Sequence, residues 1–248
     1  MDLKGKIGYV TGAGSGMGRA TALAMAREGA KLVLVGRGAD KLEAVKREIE
    51  ATGGEARIFA ADVTQRQELR NSIDFAVSEY GRLDLAFNNA GGHADFQPIH
   101  QVSEEEAEWV IDLNFKAVFY GVKYQAQKML QAGGGCIINN ASIFGLKGMA
   151  GIAHYTACKF AVIGLTKAVA LEYGGMNIRV NAVCPGGTET PNFLKATGGD
   201  VHAMDAMVPM GRIGQPNEVA EAAVWLMSAK ASYVTGAILS IDGGMSAG

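Results

Sequence analysis

Tyr155 and Lys159 stand one helical turn apart in Tyr155-Thr156-Ala157-Cys158-Lys159, and Ser142 lies upstream in Asn140-Ala141-Ser142. Ala157, Ala161, Leu165, Ala168 and Leu171 recur at helical spacing, which predicts a helix over residues 155–173 and puts the phenol and the ammonium on one face. A phenol ordinarily loses its proton near pH ~10, too high for easy exchange near neutrality, and a fixed cation close by favours the phenolate. Tyr155 is therefore a candidate general acid/base. The same spacing equally describes a tyrosine that packs beside a solvated lysine, so a second and independent signal has to decide.

That signal is at the other end of the chain. The apolar run Ile7-Gly8-Tyr9-Val10 meets Thr11-Gly12-Ala13-Gly14-Ser15-Gly16-Met17-Gly18, after which Ala20, Leu23, Ala24 and Arg27 take up a helical period. Glycines between a first strand and a first helix permit positive φ, and they let backbone amides approach a pyrophosphate that the helix N-terminus also attracts. Gly12, Gly16 and Gly18 follow G-x-x-x-G-x-G spacing, not the G-x-G-x-x-G dinucleotide fingerprint, and a tight turn without a ligand is the competing account.

The elements that must hold these residues alternate strand and helix, with no linker, repeat or low-complexity segment, which indicates an α/β fold with one doubly wound domain over residues 1–248. The 248 residues, 48% of them hydrophobic, suffice for a sizeable core. A net charge of −2 and scattered Lys and Arg argue against nucleic acid as a partner. No apolar run reaches the roughly 18 residues that span a bilayer, and the chain leads straight into a strand, so the expectation is a soluble, cytoplasmic protein without a membrane partner. Cys136, Cys158 and Cys184 lack C-x-x-C spacing and read as buried free thiols, with no metal site expected.

Together these residues resemble the short-chain dehydrogenase/reductase family. Its T-G-x-x-x-G-x-G is met from Thr11 to Gly18, its N-N-A-G by Asn88-Asn89-Ala90-Gly91, its Y-x-x-x-K by Tyr155 to Lys159, and Ser142 precedes the tyrosine at family spacing. The resemblance runs from about residue 3 to Gly244. It implies a Rossmann sheet of about seven parallel strands with helices on both faces, and a homotetramer. It also implies a nicotinamide cofactor held by Gly12, Ser15, Gly16, Met17 and Gly18, by Asp62 and Val63 at the adenine, by Asn89, Ala90 and Gly91, and by Tyr155 and Lys159 on the ribose. Pro185, Gly186, Thr188 and Thr190 are implied at the nicotinamide. Asp62 could instead, or also, cap the helix that follows Thr64.

What stands at the end of the second strand, Lys31-Leu32-Val33-Leu34-Val35, chooses between cofactors. A carboxylate there would hold the ribose hydroxyls and repel a 2′-phosphate, whereas this chain has Gly36-Arg37, which leaves space and supplies a counter-charge. The expectation is NADP(H) in preference to NAD(H), although the glycine loop itself carries no basic residue. Lys41 reads as part of a solvated helix face.

The implied chemistry is hydride transfer at a carbonyl or secondary alcohol carbon. Ser142 would hydrogen-bond the substrate oxygen, Tyr155 would give or take its proton, Lys159 would lower the Tyr155 pKa, and Asn114 would complete a proton path by disrupting the helix opened by the capping box Ser103-Glu104-Glu105-Glu106. Residues from about 188 to 214 read as a lid over the site. A mainly apolar pocket is expected from His93, Ile143, Phe144, His154, Phe193, Met204 and Met207. The leading reading is an NADPH-dependent carbonyl reductase acting on a small molecule. An NAD-linked alcohol dehydrogenase and a non-catalytic cofactor-sensing protein are the alternatives, and the substrate is left open.

Overall fold

Short aliphatic runs rich in Val and Ile form seven strands: β1 (Ile7–Thr11), β2 (Lys31–Gly36), β3 (Glu55–Ala60), β4 (Leu85–Asn88), β5 (Gly135–Asn140), β6 (Ile178–Pro185) and β7 (Ile238–Ile241). They belong to a computed structural model that describes residues 2–92 and 96–247. All pair in parallel in the order β3-β2-β1-β4-β5-β6-β7, as the strand count expected from sequence requires. The helices are α1 (Gly16–Arg27), α2 (Ala39–Ala51), α3 (Arg66–Tyr80), α4 (Glu104–Ile111), α5 (Ala117–Gln131), α6 (Ala153–Tyr173), α7 (Pro191–Ala196) and α8 (Pro216–Met227).

Residues of α1, α2 and α8, among them Met25, Leu42, Ile49, Val219 and Leu226, cover one face of the sheet. Leu69 and Ile73 of α3, Val118 and Val122 of α5 and Val162 of α6 cover the other. Because both faces are covered, the central strands are continuously apolar rather than alternating. The strand order reverses between β1 and β4, which opens a crevice above the carboxyl ends of the strands. Among the described residues no helix is long and apolar enough to cross a membrane.

Several local expectations change. The helix expected from Tyr155 starts at Ala153. Ser103 does cap α4, its Oγ accepting from Glu106 N at 3.1 Å, but the Glu106 carboxylate turns to Gln97 Nε2 at 2.5 Å instead of closing a reciprocal box. The N-cap of α8 is Gln215, with Pro216 in the first turn and Glu218 Oε2 accepting from Gln215 N at 2.7 Å. Asp62 does not cap α3, whose N-cap is Gln65; its Oδ1 accepts from Thr64 N at 3.0 Å and Thr64 Oγ1 at 2.8 Å, closing the turn before the helix.

A buried ladder of amides ties the sheet to the helices behind the crevice. Asn88 Nδ2 donates to Gln125 Oε1 at 2.9 Å and to Asn139 Oδ1 at 3.0 Å, while Gln125 Nε2 returns a bond to Asn88 Oδ1 at 2.7 Å. Asn139 Nδ2 then donates to Thr166 Oγ1 of α6 at 3.0 Å. Asn88 is thus a structural member of the N-N-A-G turn. Asn139→Ala leaves one buried Asn88 N–H without its acceptor and Thr166 Oγ1 without its donor, and is expected to lower the unfolding free energy by about 1–3 kcal/mol in urea titrations. An unchanged urea midpoint would show that the ladder carries no net stability.

Candidate active site

The glycine loop follows β1 directly, and its glycines are required by geometry. Gly12 and Gly16 have φ of 64° and 52°. A Cβ on Gly18 would lie 2.2 Å from Gly12 O, so only glycine lets the loop fold onto the start of α1. Ser15 takes the N-cap position with extended backbone and no side-chain cap bond, which leaves the first amides of α1 for a ligand. Thr11 joins the loop to the turn after β4: its Oγ1 accepts from Asn89 N at 2.9 Å and Ala90 N at 3.0 Å, and its carbonyl accepts from Asn89 Nδ2 at 3.0 Å.

Ser142 sits just beyond β5 and is 7% exposed. Its Oγ accepts from Phe144 N at 3.2 Å, which leaves the hydroxyl proton to donate. Lys159, 4% exposed on α6, donates from Nζ to Asn140 O at 2.9 Å, and its Nζ is 5.4 Å from the centre of the Tyr155 ring. Phenol and ammonium are therefore neighbours, as the helical spacing predicts. The electrostatics differ from expectation. Burial pushes Tyr155 up to about 12, which the hydrogen bond from Ser142 only partly offsets, and burial brings Lys159 down to about 8. With the protein's own groups alone, desolvation outweighs the attraction that was expected to lower the phenol.

Asn114 lies in a π-helical turn, Asp112–Lys116, between α4 and α5. Its Nδ2 donates to Val110 O at 3.0 Å and Gly92 O at 2.8 Å, and its Oδ1 accepts from Gly92 N at 3.2 Å. Gly91 is wedged between Asn114 Oδ1 and Lys159 Nζ, which lie 3.1 and 3.7 Å from where its Cβ would be. The local disruption expected at Asn114 is thus present, and the amide holds it open.

Beyond β6, Thr190 caps α7 by accepting from Phe193 N at 3.2 Å, and its Cγ2 lies 3.1 Å from the Cβ position of Gly16. Thr188 Oγ1 donates to Gly186 O at 3.1 Å. Pro185 and Gly186 end the same strand, while Asp62 and Val63 follow β3, so the candidate cofactor residues line the crevice at the strand ends.

Among the expected pocket residues, Phe193 Cε2 and Met204 Sδ converge on Gly187, at 3.5 and 3.4 Å from its Cβ position. Phe144 and Met204 pack with buried Ile143. Met207 is 49% exposed on the outside of the lid. His154 Nε2 is 3.9 Å from Glu106 Oε1, and Cys158, one turn on, meets Val110 O at 3.9 Å. It therefore belongs to the seam between α4 and α6. His93 lies outside the described residues. The segment 188–214, expected as a lid, is more tightly packed than its sequence suggests, with Val208 and Ile213 buried and Asn192 Nδ2 donating to Gly91 O at 3.2 Å.

One group escaped sequence reasoning. Asn140 ends β5, where its carbonyl holds Lys159 and its Nδ2 donates to Asn89 Oδ1 at 2.9 Å, while its buried Oδ1 has no partner. Paired asparagines at a strand end, where β-propensity is poor, were the available signal. Arg37, expected from the sequence at the cofactor, stands alone: every other arginine has a carboxylate, carbonyl or ring partner, whereas Arg37 has none among the described residues. An orphaned acceptor, a glycine cradle and an unpaired cation in one crevice fit a dinucleotide. All three cysteines are free and buried, and no metal-binding cluster occurs among the described residues.

A family model described as Enoyl-(Acyl carrier protein) reductase matches residues 12–246. The chain is 42% identical over 238 residues to a cyclohexanol dehydrogenase of Acinetobacter sp. (strain SE19), covering 96% of this chain and 94% of that one. It is 38% identical over 245 residues to the 3-oxoacyl-[acyl-carrier-protein] reductase FabG of Thermotoga maritima, covering 99% of each. The crystal structure of levodione reductase superposes with a TM-score of 0.95 at 34% identity, again over 99% of each chain. With sequence and fold both matched over almost its entire length, the chain belongs to the short-chain dehydrogenase/reductase family, oxidoreductases that use a nicotinamide cofactor to interconvert CH–OH and C=O.

Proposed function

We propose that this chain is an NADPH-dependent reductase of apolar ketones, ring ketones foremost, with Ser142, Tyr155, Lys159 and Asn114 as its catalytic set. The observation that carries the reading is a buried ammonium beside a half-buried phenol, next to a serine hydroxyl that accepts from Phe144 N and keeps its proton to donate. A non-catalytic cofactor sensor would need neither the phenol nor the serine. Arg37, unpaired at the end of β2, supports the preference for NADP(H), since a 2′-phosphate would complete its charge. Lys41 adds to this: it is exposed, and its Cβ lies 3.0 Å from the Cβ position of Gly14 in the glycine loop.

Bound in the crevice, a nicotinamide dinucleotide supplies the hydride for reduction or accepts it in oxidation. The glycine loop and α1 amides would hold its phosphates, Arg37 the 2′-phosphate, Asp62 and Val63 the adenine, and Asn140 with Thr190 groups near the nicotinamide. Ser142, anchored by Phe144 N–H, donates to the substrate oxygen and so polarises the carbonyl. Tyr155, held near pKa 12 by burial, is protonated at neutral pH and delivers its proton to the oxygen as alkoxide character develops. Lys159, still charged at neutral pH with a pKa of about 8, stabilises the phenolate that this leaves. Asn114 acts through the helix disruption it maintains. The similarity to a cyclohexanol dehydrogenase, with the apolar side chains Phe144, Phe193 and Met204, favours a ring substrate. The similarity to FabG supports a second substrate class, 3-oxoacyl thioesters. The exposed Trp109, Phe119 and Phe160 on α4, α5 and α6 support assembly into an oligomer, a homotetramer by resemblance.

Initial rates with cyclohexanone and a 3-oxoacyl thioester, each with NADPH and with NADH, test the reading. Tyr155→Phe is expected to lower kcat by about 10²- to 10⁴-fold with NADPH affinity unchanged, and near-parental turnover would refute the assignment. Arg37→Asp is expected to lower kcat/KM for NADPH by roughly 10- to 100-fold, the equivalent of charge-assisted bonds worth about 1.5–3 kcal/mol, while sparing NADH. Equal losses with both cofactors would remove Arg37 from the 2′-phosphate.

Lys159 also predicts a pH dependence of stability. Its pKa falls from the ordinary lysine value of 10.5 to about 8 on folding. Below pH 8 both folded and unfolded lysines hold the proton, so a burial penalty of about 3 kcal/mol is fully present; from pH 8 to 10.5 the folded protein releases its proton first and stability rises. Lys159→Met should therefore be more stable than the parent at pH 7 in the absence of cofactor, and the gap should close as pH rises through that window. A gap independent of pH in thermal melts would contradict the buried charge.

A further inference from the structure

Apart from the two cores that flank the sheet, a third apolar cluster joins three segments distant in sequence. Ile143, Val208 and Met245 are its buried members, at 1%, 6% and 5% exposure, and Phe144 and Met204 pack against them. Ile143 and Phe144 immediately follow Ser142. Met204 and Val208 belong to the lid, and Met204 also reaches Gly187 beside Phe193. Met245 comes from the C-terminal tail, which the sequence pattern marks only as the end of the last strand.

Chain ends usually fray unless they are tied down, and this one is tied at every turn. Asp242 Oδ1 accepts from Gly244 N at 3.0 Å and its Oδ2 from Ser246 N at 2.9 Å, folding the tail back after β7. Lys147, five residues beyond Ser142, donates from Nζ to Met245 O at 2.6 Å across 98 positions of sequence. Lys147 N in turn donates to Ile143 O at 3.1 Å, so the clamp grips the same turn that presents Ser142. The lid rests on the other side of the tail: Met210 N donates to Gly243 O at 3.2 Å. Val208 Cγ1 lies 2.6 Å from where a Cβ on Gly243 would be, and Pro209 Cβ 3.2 Å from that of Gly244. Gly243 and Gly244 adopt φ of 61° and 94°, so the tail has the only residue type that both fits beneath the lid and makes the turn.

We propose that the segment 242–247 is the far wall of the acceptor site, and that Met245, fixed by the Lys147 clamp, sets how bulky a carbonyl substrate can be while its oxygen reaches Ser142. This rests on the reductase reading above. Methionine suits such a wall because its unbranched thioether fills irregular apolar space, and a packed wall registers changes of a single methylene. Sequence position hides the role, since Met245 is 103 positions from Ser142 along the chain.

The test compares cyclohexanone with 4-tert-butylcyclohexanone as NADPH-coupled substrates of the parent, Met245→Ala and Met245→Leu, each checked for parental far-UV circular dichroism and cooperative melting. Met245→Ala is expected to raise the bulky-to-small ratio of kcat/KM by about 10-fold or more, the range one or a few methylenes command in an apolar pocket, with KM for NADPH unchanged. Met245→Leu should shift it less. A ratio within about two-fold of the parent in a folded Met245→Ala protein would overturn the proposal. If only open-chain 3-oxoacyl thioesters are turned over, the ring reading fails, and the same ratio is taken between long and short acyl chains. Lys147→Met is followed by amide hydrogen exchange, which needs no turnover. Faster exchange at residues 204–210 and 242–247, with α8 unchanged, supports the clamp, and parental exchange in both segments overturns it even if the reductase reading stands.

Discussion

The site depends on keeping one charge, the Lys159 ammonium, out of water. Moving an ammonium into a protein interior costs several kcal/mol after relaxation, and here the direct hydrogen-bond partner is a single backbone carbonyl, Asn140 O. The surroundings are organised to hold that group where it is costly. Thr166, two turns beyond Lys159 on α6, locks the helix to β5 through Asn139, and the ladder continues to Asn88 on β4 and Gln125 on α5. Gly91 leaves room for Nζ, and the π turn at Asn114 brings an amide to the same corner. Stability is given up at the site and recovered in the ladder behind it, the arrangement expected where activity requires a strained or desolvated group.

The parallel topology explains why the chemistry is found at one edge of the molecule. Each strand delivers its following residues to the same side, so Gly12, Asp62, Asn89, Ser142 and Gly186 become neighbours although they are spread across most of the chain. Thr11 then welds two of these turns together, with one hydroxyl accepting two amides of the turn after β4. The crevice is consequently built from backbone held by sheet pairing, and backbone is the part of a protein least able to drift.

The proposed acceptor side is built differently. Side chains from the turn after Ser142, from residues 204–208 and from Met245 pack there outside the main cores, held by a few hydrogen bonds and by apolar contact. Such a region can be altered without disturbing the sheet, which is the physical reason that one catalytic frame in this family serves substrates as different as a ring alcohol and an acyl thioester.

Read alone, the sequence determined the local matters: strands from continuous apolar runs, the glycine turn before α1, the one-turn spacing of Tyr155 and Lys159, and the basic end of β2. Each is set by contacts between residues close in the chain, so the pattern carries them. Errors of the same local kind were small, as when the capping box expected at Ser103 stayed half closed because the Glu106 carboxylate bonds Gln97. Tertiary structure decided what depends on burial and on distant partners. His154 comes within 3.9 Å of Glu106 on α4, a contact between residues 48 positions apart that only the packing of α4 on α6 creates. The Tyr155 pKa is raised because desolvation, invisible in a string of letters, outweighs the hydrogen bond from Ser142. The partnerless oxygen of Asn140, and the burial of Met245 beside the turn that follows Ser142, exist only once chain segments a hundred residues apart are packed together.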